Sequence, residues 1–186
     1  MRYALALLAV LVLPYCTAPE KPAKPEAPAP PAAPIPPPAP QLGSVAEIDA
    51  WFNTMQAGEA SMKKTESTIA RGESTHQLTT CTDEKGEPAI LKADIKGANQ
   101  PTVLEYYRHN GKVVLLRERL LGKSNTENRF YFADGQLLKA LTRVVPGKMA
   151  PDAVPFSDYK SPYGDLDFRL KYVEVQQSAE NYLQGK

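Results

Sequence analysis

The sequence predicts an α+β domain built from an N-terminal helix, an antiparallel β-meander of five to seven strands and a C-terminal helix in two layers. Three observations predict it. Ser44 and Glu47 form a helix-start signature ahead of an apolar stripe. Asn110-Gly111 and Asp134-Gly135 each separate two runs rich in β-branched and aromatic residues. Near the C-terminus, Phe168, Tyr172, Val175, Ala179 and Tyr182 recur at a spacing of 4-3-4-3, which is one face of a helix.

In the first helix the Ser44 hydroxyl can accept from the backbone three residues on, while the Glu47 carboxylate reaches back. Val45, Ile48, Trp51 with Phe52, and Met55 then mark the buried face, and Gly58 ends it. From about residue 65 the period changes to two. Residues 68–71, 77–81 and 89–92 read as strands, with Lys85-Gly86 as a turn between the last two. Residues 104–109 meet 112–117 across Asn110-Gly111, and 129–133 meet 136–141 across Asp134-Gly135. Both dipeptides suit the type I′ turn, whose two centres need positive φ. Pairing 109 with 112 predicts Leu104, Tyr106, Val113 and Leu115 on one face and Glu105, Tyr107, Val114 and Leu116 on the other. Neither set is polar, so both faces need cover. Residues 166–172 alternate like a strand, yet the apolar stripe that continues to Tyr182 favours helix. The intervening stretch, 146–164, carries Pro146, Pro151, Pro155 and Pro162 with Phe156, Tyr159 and Tyr163. It is either a strap across the sheet or an aromatic lid.

The organisation ahead of the domain is distinct. Residues 3–13 form an uninterrupted apolar run after Arg2. Eleven helical residues reach only ~16 Å against a hydrocarbon core of ~30 Å, too short to span and suited to the core of a signal peptide. Residues 1–15 are therefore expected to direct export. Eleven of the 18 prolines fall between Pro19 and Pro40, so residues 16–43 predict an extended, disordered tether, of which the stretch 17–41 alone reaches roughly 75 Å when fully extended. The folded domain is expected over 44–186. Its acidic and basic residues balance and the whole chain carries net charge +1, which gives no footprint for nucleic acid.

Two cleavage points are open, before Cys16 or after Ala18. Leu13 three residues before Cys16, at the end of the apolar run, resembles the signal of bacterial envelope lipoproteins. That resemblance implies that Cys16 is lipid-attached and that membrane contact runs through this N-terminal lipid. Two acyl chains hold a protein stably at a bilayer. The hairpin sequences Tyr-Tyr-x-x-Asn-Gly-Lys-Val-Val and Phe-Tyr-x-x-Asp-Gly-Gln-Leu-Leu, 24 residues apart, faintly resemble the aromatic core of MORN-type repeats. An ordinary aromatic meander accounts for them equally well.

Chemistry-bearing residues are sparse. His109 abuts a turn and is expected to face solvent. His76 and Cys81 lie five apart on one strand, hence on opposite faces, which excludes a thiol–imidazole pair. Cys81, the only cysteine besides Cys16, reads as a small buried hydrophobe. Zinc spacing, a phosphate loop and a nucleophile elbow are absent, the last including Ser161-Pro-Tyr-Gly164. Asp165 and Asp167 read as turns and caps. No catalytic residue, cofactor or metal is expected. Tyr107, Tyr131, Phe156, Tyr159 and Tyr163 are the candidate partner-binding residues, because exposed rings give large contact area with few rotamers. The expectation is a non-enzymatic envelope lipoprotein that presents a β-rich binding domain on a proline-rich stalk to an envelope protein. A periplasmic hydrolase, or a small inhibitor of an envelope enzyme, is the alternative.

Overall fold

The structure, a computed structural model, describes residues 42–97, 100–147 and 149–186. The signal segment, Cys16 and the tether up to residue 41 lie outside the described residues. Helix α1 (Val45–Gly58) opens as expected: Ser44 Oγ accepts from Glu47 N at 3.3 Å, and Glu47 Oε2 accepts from Ser44 N at 2.9 Å. Ile48 and Phe52, one turn apart, are its buried residues.

Among the described residues eight strands follow in sequence order, each antiparallel to its neighbour: β1 (Lys63–Arg71), β2 (Ser74–Thr82), β3 (Pro88–Lys96), β4 (Thr102–His109), β5 (Lys112–Leu120), β6 (Ser124–Ala133), β7 (Gln136–Pro146) and β8 (Ser157–Asp158). Eight exceeds the five to seven expected. The additional strand is β8, two residues inside the proline-stiffened stretch, which pair with Leu141 and Thr142 on β7. Its shortness left no alternation to read.

Both predicted hairpin turns form, with Asn110 at φ 51° and Gly111 at 74°, and Asp134 at 50° and Gly135 at 79°. Each is followed by a β-bulge at the same place. In the first hairpin Arg108 pairs with Val113 but Tyr107 pairs with Leu115, which leaves Val114 as the extra residue. In the second, Phe132 pairs with Leu137 and Tyr131 with Lys139, which leaves Leu138. The expected division of β5 is therefore corrected. One extra residue reverses the alternation beyond it, so Leu116 joins Leu104, Tyr106 and Val113, while Leu115 joins Tyr107 and Val114.

The sheet is covered on both faces, giving three layers where two were expected. Helix α1 packs on Cys81, Ile90, Tyr107, Val114, Leu115 and Tyr131. Helix α2 (Tyr172–Leu183) places Val175, Ala179 and Tyr182 on Leu91, Leu104, Tyr106, Leu116 and Phe130 of the other face. The expected stripe thus packs as a unit, but the α-helix begins only at Tyr172, and Phe168–Leu170 is a 3-10 turn. Asp167 starts that turn, accepting from Arg169 N at 3.1 Å. His76 and Cys81 do lie on opposite faces. His76 is buried and clamps α2 to β2, with Nδ1 2.9 Å from Tyr182 Oη and Nε2 3.0 Å from Ser74 Oγ. Among the described residues no helix is long and apolar enough to cross a membrane.

Candidate functional site

On the α2 face, α2 packs over one part of the sheet and leaves the far halves of β4–β7 to a different cover. Register aligns two rows across these strands. One runs Glu118, Asn128, Thr142; the other runs Thr102, Leu120, Thr126, Val144. Alternation sends every member of both rows to the same side as Tyr106 and Phe130. After β7 the chain passes around the sheet edge. Phe156 remains on the α1 side over Arg129 and Arg143, its ring centre 4.6 and 4.4 Å from their guanidinium carbons. Tyr159 seats edge-on against Phe130 on the α2 side, centroids 5.0 Å apart. Between the two rows and the returning residues 159–169 lies a solvent-open cavity of about 720 Å³, within the range of small-molecule sites.

The returning segment is pinned by a buried polar network. Arg169 gives Nε to Asp167 Oδ1 at 2.7 Å and Nη2 to Asp167 Oδ2 at 2.9 Å. The same Nη2 donates to Tyr159 Oη at 2.6 Å, and Nη1 reaches Glu118 Oε2 on β5. Asp167 Oδ2 also accepts from Tyr159 Oη at 2.7 Å and Ser161 Oγ at 2.8 Å. Glu118 Oε2 accepts from Asn128 Nδ2 at 2.7 Å, and Asn128 Oδ1 from Thr142 Oγ1 at 2.6 Å. Glu118, Asn128, Asp167 and Arg169 are all buried. Buried charge is tolerated only when it is paired and hydrogen-bonded, and here each charged group meets at least two partners.

The electrostatics hold this network in one state. Burial pushes the Asp167 carboxyl up, but hydrogen bonds from Arg169, Tyr159 and Ser161 outweigh it and leave the group at about 2. Burial alone would lower Arg169; the carboxylates of Asp167 and Glu118 raise it instead. Burial and the Asp167 acceptor push the Tyr159 phenol up. Asp167 is therefore ionised, and Arg169 and Tyr159 protonated, at any physiological pH. What remains to meet a ligand is the threonine hydroxyls, the Gln100 amide, Lys160 and two rim groups, Tyr163 (64 % exposed) and Leu166 (85 % exposed).

The structure separates the five candidate aromatic residues. Tyr159 and Tyr163 line the cavity. Phe156 is on the opposite face, half-buried against its two arginines. Tyr107 and Tyr131 are enclosed under α1, where Tyr107 meets Phe52 edge-on at 4.7 Å and Tyr131 Oη donates to Asp49 at 2.9 Å. Neither presents a surface, because α1 covers the face on which both rings lie. Cys81 is buried, as expected. His109, expected in solvent, is half-covered and lies edge-on to Trp51 at 5.5 Å.

Sequence reasoning missed Glu118, Asn128, Thr142 and Arg169, and saw Asp167 only as a cap. A signal was available: Arg117-Glu118-Arg119 interrupts the apolar run of β5, and six polar residues, 124–129, precede the apolar end of β6. Such runs need buried partners on both faces. Among the described residues no group of three or more His, Cys, Asp or Glu is placed to hold a metal ion. Comparison with protein-family models, with curated proteins and with solved structures finds no match for this chain.

Proposed function

We propose that this chain is an exported, lipid-anchored binding protein, displayed on its proline-rich segment, whose cavity on the α2 face receives a neutral ligand rich in hydroxyl or amide groups. The observation that carries the binding reading is the state of the charges around the cavity. Asp167, Arg169 and Glu118 satisfy one another, and acid–base catalysis needs a group poised near the working pH. Asp167 is held at about 2, far from that range. The hydroxyls of Thr102, Thr126 and Thr142 and the Tyr163 ring instead offer the mixture of directional polar contact and aromatic surface that binds polar organic ligands. The strap of residues 156–163 is seated on the sheet at Phe156 and Tyr159 rather than projecting, which supports a cavity ligand over an inhibitory loop.

The recess itself favours one second reading, a hydrolase that uses the carboxylates of Glu118 and Asp167 on either side of Arg169. The two readings separate by experiment. NMR titration of the full chain with envelope saccharide fragments should shift the amides of Thr126, Asn128 and Thr142, and Thr142→Leu should abolish those shifts without product formation. Turnover of a fragment that is lost in Asp167→Asn would replace binding with catalysis. For the address, the wild-type protein should sediment with membranes and Cys16→Ala should be released; equal solubility of the two would overturn the anchor.

A further inference from the structure

The opposite face of the same strands carries a second charged layer, differently composed. Glu127 Oε1 accepts from Arg117 Nε at 2.8 Å and Arg129 Nε at 2.9 Å, and Glu127 Oε2 from Arg143 Nη2 at 2.6 Å. Glu105 accepts from Arg117 Nη1 at 3.1 Å and Arg119 Nη2 at 3.2 Å, with Lys92 Nζ at 3.6 Å. Two buried carboxylates thus serve four guanidinium groups and an ammonium. The other counter-charges are peripheral. Arg129 meets Asp49 at 3.6 Å, Arg143 meets the fully exposed Asp152 at 3.9 Å, and Lys92 pairs with Glu59 at 2.8 Å. With these three the five carboxylates balance the five cations; among the described residues Arg117 and Arg119 have no ion-pair partner besides Glu105 and Glu127.

These two side chains also keep unused donors. A guanidinium has five N–H groups. Arg117 spends Nε and Nη1 on Glu127 and Glu105, which leaves Nη2. Arg119 spends only Nη2, and its Nε is buried with no hydrogen-bond partner. A buried donor left unsatisfied is destabilising, because it has lost water without gaining a partner. Both side chains, 16 % and 37 % exposed, line a cleft of about 260 Å³ between the β5–β6 connection and the chain after β7. Leu121, Val145, Met149 and Pro151 form its apolar walls. Arg169, across the sheet, offers the contrast: it has committed Nε and both Nη atoms and can recruit nothing.

We propose that this cleft is an oxyanion site, in which Arg117 Nη2 and Arg119 Nη1 receive a carboxylate or phosphate group carried on an apolar moiety. Parallel guanidinium forks match the paired oxygens of such groups, and the walls accommodate the attached apolar part. The site is separate from the α2-face cavity and does not depend on the ligand proposed there.

Calorimetric titration of the full chain with inorganic phosphate and with butyl phosphate should give saturable binding, tighter for the butyl ester. Arg119→Gln should weaken it at least tenfold. Met149→Asp, a substitution at a half-exposed position (50 % exposed), should weaken it through a facing carboxylate without disturbing the ion pairs. Tyr163→Ala, on the other face, should leave it unchanged. Sedimentation with phosphatidylglycerol but not phosphatidylcholine vesicles, lost in both cleft variants, would identify a lipid headgroup as the source; butyl phosphate binding without vesicle binding would identify a soluble ligand. The proposal is overturned by a folded wild-type protein that binds neither butyl phosphate nor anionic vesicles, or by folded Met149→Asp and Arg119→Gln proteins that bind as the wild type does.

Discussion

Substituting Arg169 by methionine removes the one cation between Asp167 and Glu118 while keeping most of the side-chain volume. Two buried carboxylates then remain. Asp167 retains Tyr159 Oη, Ser161 Oγ and a backbone N–H, and Glu118 retains only Asn128 Nδ2. Breaking a buried pair by deleting one partner costs ~3–5 kcal/mol, because a charge is left uncompensated. The surviving hydrogen bonds place Arg169→Met toward the lower end, about 3 kcal/mol. In urea at pH 7, with an m-value of about 2 kcal/mol/M, the midpoint should fall by roughly 1.5 M. Replacing Glu118 by leucine in the same chain removes the more exposed liability of the two. Arg169→Met with Glu118→Leu should therefore be more stable than Arg169→Met alone, and Glu118→Leu alone completes the cycle that measures the pair. A loss below about 1 kcal/mol for Arg169→Met, with the double variant no better, would refute the view that this network pins residues 159–169 to the sheet.

The pH dependence follows from the same groups. Asp167 and Glu127 both sit at about 2 in the folded state, below ordinary values of 3.8 and 4.5. Burial opposes this in each, and arginine hydrogen bonds and charge outweigh it. Folded values below unfolded ones mean that their stabilisation is complete above about pH 4.5 and is lost as pH falls toward 2. Asp167→Asn should flatten that limb by about 2 kcal/mol in urea melts taken across this window. Burial, with Arg71 nearby, lowers the imidazole of His76, so a smaller loss should begin below pH 6.5 and be missing in His76→Gln. Gly97 and Gly111 both hold positive φ, but a Cβ on Gly97 would lie 2.6 Å from Glu73 O whereas one on Gly111 meets nothing within 4 Å. Thermal melts should rank Gly97→Ala well below Gly111→Ala, which costs about 1–2 kcal/mol from φ alone. Burial raises the Cys81 thiol and encloses it, so a thiol reagent should label it only on unfolding; rapid native labelling would contradict its place under α1.

The sequence by itself determined the elements whose causes are local. Ser44 and Glu47 start α1 because both partners lie within four residues. Asn110-Gly111 and Asp134-Gly135 turn the chain because these residues tolerate positive φ. The stripe ending at Tyr182 names the buried face of α2. Tertiary structure decided what depends on pairing across strands. The bulge at Val114 shifts no local pattern, yet it exchanges Leu115 with Leu116 between the faces, and α1 encloses Tyr107 and Tyr131. The cavity needs Glu118, Asn128 and Thr142 brought level by register, and then Arg169, 51 residues beyond Glu118, returned to them around the sheet edge. Hydrophobic periodicity records which way a side chain points, not which distant charge will meet it, and buried charge is placed by that meeting.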